Sequence, residues 1–374
     1  MKVYFFDKRL VRRGVLPVIG LSLVLRHNSV STGVLDIDGN HSTWDGRFAL
    51  EGGHVVVIDD HGVQLIAGKL TSIEFTKKEG LVDVRLALTS HLDYLAGMIT
   101  FPSPRKAPDT QTDRAYYTGS GPAETVITDL IRTHVGQAAL SVNRSPLQVE
   151  RSQGRGKTVK VKTRFKNLLE EVQELAGAGG LQVRTWLDYD TATIRLGHRV
   201  PRDLSRSVRL REDDGTLERY SYSLEAPSAT RVLVAGKGQG TSRLLRLVES
   251  GQTEWETKTI LFQDRRDTDD IADLVQAGEQ TLAESGAKTS ITIDTRHLGS
   301  RRFGTDYWLG DVVTVQLTDK TVITGGLQRV EIDWDQDGAS YKVSVGPYLE
   351  EPDEDRTREI VRKVRRDVRG LEAG

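Results

Sequence analysis

The chain has 374 residues, enough for two or three domains that each bury a core of their own. Lys and Arg number 52 against 53 Asp and Glu, and the resulting net charge of -1 excludes a global field aimed at nucleic acid or an anionic membrane. With no cysteine, disulfides, thiolate chemistry and cysteine-based zinc sites are excluded as well, which fits a cytosolic protein or a cysteine-free particle component.

Near the start, the run VLPVIGLSLVL (Val15 to Leu25) follows Lys8, Arg9, Arg12 and Arg13 and so imitates a secretory signal. The imitation is incomplete. Asp7 lies among the basic residues, Pro17 and Gly20 interrupt the apolar run, and RHNSVS follows where a small-residue cleavage site would stand. The segment reads as two short strands bent at Pro17. Elsewhere no apolar run reaches the ~20 residues of a membrane span.

Residues 1 to 100 alternate apolar and polar with Gly, Asn and Asp punctuation, the pattern of antiparallel strands. The stretch TFPSPRKAPDTQT then marks a loop or boundary near residue 105. Beyond it the period changes. Val126, Ile127, Leu130 and Ile131 recur at helical spacing with Gly136 as a stop, and Leu168, Leu169, Val172 and Leu175 form a second helical stripe that ends in glycines. From about residue 216 strand patterns return, with one helix from Asp267 to about Glu284 whose Asp267, Thr268, Asp269 and Asp270 supply a cap and an acidic first turn. The chain ends in a helical pattern from about Asp353, where Val361, Val364, Val368 and Leu371 make a narrow apolar stripe.

One hairpin pattern occurs twice. GHVVVIDDHGVQLIAGKLTSIEF (Gly53 to Phe75) aligns without a gap on GDVVTVQLTDKTVITGGLQRVEI (Gly310 to Ile332), placing Gly53 on Gly310, Gly68 on Gly325, Leu70 on Leu327 and Glu74 on Glu331. Each copy reads as turn, strand, polar tip, strand and a glycine kink, and in the second copy Gly310 and Asp311 form the turn ahead of the strand. Two chance hairpins would share alternation; shared glycines at the turn and at the kink point to a duplicated small β-barrel.

Several motifs invite a chemical reading. Gly236, Gly238 and Gly240 in AGKGQGT lie between two strand-like runs, without the following helix that a phosphate loop or Rossmann turn requires, so they read as a glycine-rich hairpin or bulge. Asp333, Asp335 and Asp337 ahead of Gly338 match half of a calcium loop, but Ser344 stands where the bidentate Glu belongs; a hairpin turn is the better reading, with an adventitious calcium left open. In GKTVKVKTRFK, Lys160, Lys162, Arg164 and Lys166 share one strand face and Val159, Val161 and Phe165 the other, which reads as a solvated basic face over a core-facing one rather than a phosphate-binding strip. His54 and His61 share a hairpin but form no zinc-protease motif. No nucleophile, base and orienting acid assemble, so the chain reads as a non-enzyme with no cofactor and no sequence-specific nucleic-acid binding.

Several stretches follow one another over roughly residues 45 to 350: GGHVVVIDD with AGKLTSIEF, GPAETVITDLI, RFKNLLEEVQELAGAGGLQVR, VLVAGKGQGTSR and DYWLGDVVTVQ. Together and in this order they resemble the tail-hub family of siphophages, which is similar to the baseplate hubs of contractile tails. The resemblance implies a virion component assembled in the host cytoplasm: a homotrimeric ring at the tail tip that ends the tail tube and adapts sixfold to threefold symmetry. Its implied partners are the distal tail ring protein, the tape-measure protein and downstream tail-tip or receptor-binding proteins. The chain departs from many relatives in stopping soon after the hub. A tail-associated cell-wall hydrolase or glycan-binding module is the alternative from another class, recognisable by a polar cleft with perturbed carboxylates or by exposed aromatics in a groove.

The expected architecture is mainly β with α+β. A first β-barrel spans residues 1–105, an inserted α+β domain 106–215, a second β-barrel with one helix 216–351, and a C-terminal helix 352–374. The apolar stripe of that last helix could close a trimer at the ring axis or dock on another tail protein. Tyr307 and Trp308 could face a core or a partner.

Overall fold

A computed structural model describes residues 1–42, 44, 52–78, 81–211, 217, 219–251, 255–266, 268–286, 288–296, 301–317 and 321–346. The C-terminal helical stripe Val361, Val364, Val368 and Leu371, and Asp267 in the expected helix cap, lie outside these residues.

Seven strands open the chain: β1 (Lys2–Phe6), β2 (Arg12–Val15), β3 (Val18–Arg26), β4 (Thr32–Asp38), β5 (His54–Ile58), β6 (Gln64–Lys78) and β7 (Leu81–Ser90). The single turn α1 (Asp93–Ala96) leads into β8 (Tyr117–Pro122), α2 (Ala123–His134), β9 (Leu147–Val149), β10 (Thr158–Thr163), α3 (Leu168–Gly179), β11 (Gln182–Asp188) and β12 (Thr193–Arg199). The remainder is β13 (Arg209–Arg211), β14 (Arg219–Glu225), β15 (Arg231–Ala235), β16 (Leu245–Glu249), β17 (Ile260–Asp264), α4 (Ile271–Ser285), β18 (Lys288–Arg296), β19 (Val312–Gln316), β20 (Val322–Asp335) and β21 (Gly338–Val345). The protein is mainly β, as its alternation predicts.

The first seven strands close on themselves. Only Leu16 and Pro17 separate β2 from β3; Leu16 N–H donates to Val3 O at 2.8 Å and Asp38 N–H donates to Pro17 O at 3.3 Å, so the bend at Pro17 joins β1 to β4. From there the order β4-β7-β6-β5-β1 completes the circle. Leu21, Leu23 and Leu25, every second residue of β3, point inward with Leu35, Val55 and Leu86. β5 is instead a continuous apolar run, because both its faces are covered: Val55 and Val57 line the barrel while Val56 packs outward against the inserted unit.

That unit has its own core, in which Ile127, Leu130 and Ile131 of α2 meet Leu168, Val172 and Leu175 of α3 and Leu196 of β12. Asn167 caps α3 by accepting from the N–H groups of Leu169 (2.9 Å) and Glu170 (3.3 Å), and Gly180 ends it in the left-handed conformation at φ +67°. A third, smaller unit places α4 across β16-β15-β17 through Leu274, Val232, Val234 and Leu282. The glycine-rich AGKGQGT joins β15 to β16 there, a hairpin with Gly238 and Gly240 at positive φ.

Two details of the basic strand differ from the sequence reading. Phe165, expected to face the core, is 45% exposed: β10 ends at Thr163, and the chain turns through φ +55° at Phe165. The basic face is not simply solvated either. It borders a cleft of about 430 Å³ whose other wall is α4, and Lys160 Nζ lies 2.7 Å from Asp273 Oδ1 while Lys166 bonds Glu174. The acidic first turn of α4 that serves the helix dipole also faces Lys160.

Candidate functional site

The two hairpins stand in equivalent settings. In the first part of the chain β3, β4, β5, β6 and β7 pair in the order β3-β4-β7-β6-β5; in the last part β14, β18, β19, β20 and β21 pair as β14-β18-β21-β20-β19. Chain order and sheet order therefore match strand for strand, with β15 to β17 and α4 placed between β14 and β18. The match extends to an irregularity, since the register between β6 and β7 shifts between Leu70 and Ser72, and that between β20 and β21 shifts between Leu327 and Arg329, the aligned residues.

The glycines mark the tight points. Gly53 lies directly before β5, where an added Cβ would fall 2.4 Å from the Phe5 ring. Gly68 pairs with Val55 and Gly325 with Val313, each where the bent strand crosses its successor: a Cβ would lie 2.3 Å from Thr89 O at Gly68 and 3.0 Å from Gly346 N at Gly325. Gly310 holds φ +84° against His27. The ungapped alignment fits the second strands, but pairing in the first strands is offset by one residue, because Leu70 N–H donates to Gly53 O and Leu327 N–H donates to Asp311 O, both at 3.0 Å. A bulge between Val57 and Ile58, present only in the first hairpin, absorbs the difference.

Between the barrels the sheet is continuous. β20 pairs antiparallel with β3 from Arg329↔Arg26 to Trp334↔Leu21, so the second barrel docks on the first edge to edge through main-chain hydrogen bonds. Tyr307 and Trp308, just before β19, belong to this shared core: Tyr307 is buried, and Trp308 stacks on Phe303 with ring centroids 4.8 Å apart. Burial holds the Tyr307 hydroxyl above its ordinary range.

A buried carboxylate fixes the junction to the inserted unit. Asp311 is 0% exposed; it pairs with Arg199 at the end of β12 and accepts from Arg202 Nη2 at 2.8 Å, Arg202 N at 2.8 Å and Trp308 N at 3.0 Å. His27 sits beside it, and burial together with the Arg199 charge, opposed by Asp311, brings its pKa down to about 4. On the other side of the first barrel His54 Nδ1 and His91 Nε2 share a hydrogen bond of 3.0 Å. Burial and then the charge of Lys69, opposed by Asp7, hold His54 at about 4. At the start of α2 the buried Glu124 accepts from Arg155 Nη2 at 2.7 Å and Arg155 N at 2.9 Å; burial raises its pKa, but those bonds outweigh it and set it at about 2.

The chemical motifs fall elsewhere. Asp335 and Gly338 flank a two-residue hairpin between β20 and β21, in which Asp337 N–H donates to Asp335 Oδ1 at 2.8 Å and Gly338 takes φ +122°. Among the described residues no group of three His, Asp or Glu could hold a metal ion. Nor is any of their helices long and apolar enough to cross a membrane. The arrangement is one of strand edges, bent hairpins and buried ion pairs.

A family model described as Siphovirus ReqiPepy6 Gp37-like protein matches residues 2–347. The chain belongs to that family. Solved phage tail proteins share the fold of this Gp37-like chain. The tail protein from Neisseria meningitidis MC58 aligns at TM-score 0.59 and 13% identity, over 92% of this chain and 96% of that one. The 43 kDa tail protein of prophage MuSo2 from Shewanella oneidensis aligns at TM-score 0.59 and 10% identity, over 92% and 98%. Prophage tail protein gp18 from Listeria monocytogenes EGD-e aligns at TM-score 0.56 and 11% identity, over 94% and 95%. No curated protein matches the sequence. The resemblance to tail proteins read from ordered short motifs thus holds at the level of family and fold.

In this Gp37-like chain the glycine of the first kink carries the larger load. Gly68→Ala is expected to lower stability by about 1–3 kcal/mol, because the new methyl meets backbone that cannot rotate away. Gly325→Ala, with its milder approach, should cost visibly less. Urea midpoints compare the two, and equal small shifts would mean that the close crossing at Gly68 is not what its glycine serves. Sequence reasoning missed His91, Arg199, Arg202 and His27, since each acquires its role from a partner far along the chain.

Proposed function

We propose that this chain is a structural hub protein of a phage or phage-derived tail tip, three copies of which form a ring that ends the tail tube. The β3–β20 junction carries the proposal. It joins two barrels of matching strand order edge to edge within one chain, so three chains would present six similar units around one axis and could meet a sixfold ring on one side and a threefold tip on the other. The distal tail ring protein is the partner that such a six-unit face fits, while the tape-measure protein and downstream tip or receptor-binding proteins fit the axis and the far face. A fold shared with phage tail proteins over nearly the whole chain supports a structural rather than catalytic role. Light scattering of the purified protein at high concentration is expected to give three times the chain mass. A strictly monomeric protein, or a copy number in the particle not divisible by three, would sink the reading.

A further inference from the structure

Each barrel repeat contributes one edge strand and one bent strand, and among the described residues only half of these edges meet within the chain. β20 of the second repeat pairs with β3 of the first. The equivalent pair is β6 of the first repeat and β14 of the second. Among the described residues β14 pairs only with β18, and the outer half of β6, Ser72 to Lys77, pairs only with β7. Six strands separate β14 from β6 in the sheet order, so within one chain they do not meet as β3 and β20 do; neighbouring copies would bring them together.

From this we infer that β14 of one chain pairs antiparallel with Ser72–Lys77 of the next copy, in the register that β3 and β20 already use. This rests on the ring reading above and deepens it by naming the strands and their alignment. Transferring the observed pairs Val330↔Leu25, Ile332↔Leu23 and Trp334↔Leu21 onto the equivalent residues sets Ile73 opposite Leu224, Phe75 opposite Tyr222 and Lys77 opposite Tyr220. Four of the side chains so matched, Phe75, Tyr220, Tyr222 and Leu224, are large hydrophobic ones that the single chain leaves open. Phe75 is 49% exposed, touched on one side by the Trp44 ring, Tyr222 is 38% exposed and Leu224 51%. Their counterparts at the internal junction, Ile332, Leu23 and Leu25, are at most 1% exposed.

Facing supports the same register. Tyr222 and Tyr220 lie opposite the buried Ile291 and Ile293 of β18, and Ile73 and Phe75 lie opposite the buried Leu86 and Val84 of β7. All four therefore point to the core side of their sheets, where an edge without a neighbour exposes apolar surface to water. A second copy seated edge to edge supplies the missing neighbour for both main chain and side chains. Lys77 would meet the Tyr220 ring, and on the opposite face Glu74 would meet Ser223.

The chain has no cysteine, so a designed pair reports the register directly. Carrying Glu74→Cys and Ser223→Cys together, the full-length protein should form covalent dimers and trimers under mild oxidation, read on a denaturing gel without reductant. Each single variant, and the out-of-register pair Glu74→Cys with Ser221→Cys, should stay largely monomeric on the same gel. Tyr222→Asp, at a side chain exposed in the single chain, should keep the circular dichroism of the parent and lose the assembled mass. If the parent has the trimer mass but the in-register pair fails to cross-link, or cross-links no better than the shifted pair, the strand pairing is overturned and the ring stands. A monomeric parent overturns both.

Discussion

Asp311→Ala is expected to cost about 3–5 kcal/mol of folding stability, the usual consequence of removing one partner from a buried ion pair. The carboxylate is fully buried and receives Arg199, Arg202 and the backbone N–H groups of Arg202 and Trp308. Its removal strands the Arg199 guanidinium, whose side chain is only 22% exposed, and unties the end of β12 from the turn before β19. The inserted unit and the second barrel lose their shared anchor together. Arg202→Ala is the contrasting case: its side chain is 49% exposed, water replaces much of what it gives up, and a loss of up to about 1 kcal/mol is expected. Chemical denaturation measures both. A cost for Asp311→Ala no greater than that for Arg202→Ala would show that the buried cluster does not hold the junction.

Acid should destabilise the protein well before its carboxylates are neutralised. His27, His54 and His198 are each held at about 4, below the ordinary 6.5: burial is the main cause in all three, assisted by Arg199 at His27, by Lys69 at His54 and by Arg155 at His198, where Glu124 opposes it. Because these folded-state values are depressed, the unfolded chain binds more protons between 6.5 and 4. The stability of the neutral imidazoles is fully present above about pH 6.5 and is lost as pH falls toward 4. A displacement of this size is worth about 3 kcal/mol per imidazole at ~1.4 kcal/mol per pH unit, so three of them rival the whole stability of a typical domain. Glu124 acts later; its contribution is present above 4.5 and is lost as pH falls through about 2. Melting temperature followed from pH 7.5 to 4 is expected to fall steeply below 6.5, and His54→Gln should reduce that slope by about one proton. A melting temperature unchanged between pH 7 and 5 would contradict the neutral, buried state of these rings.

How much of this was legible in the sequence depended on the range of the interaction. The alternation in β3 and β4, the bend at Pro17, the helical stripes of α2 and α3, and the hairpin turn at Asp337 and Gly338 all follow from the side-chain period and from turn chemistry acting within a few residues. The repeated hairpin was visible for the same reason, since Gly68 and Gly325 serve a crossing whose two strands lie close in sequence. Phe165 departs from the alternation because β10 ends two residues earlier, at Thr163, and the chain turns at positive φ.

By itself the sequence determined the mainly β class, the family resemblance and the two matching hairpins, because each is written in local periodicity and in short ordered motifs. Only the tertiary structure decided that β20 pairs with β3, that His54 meets His91, that Asp311 receives Arg199, and that the acidic turn of α4 faces Lys160 of β10. A strand edge carries unsatisfied N–H and C=O groups that are the same for every residue except proline, and a charge finds its partner by position in space. Which edge and which charge are chosen is therefore fixed by the packing of the barrels and helices, not by the residues alone.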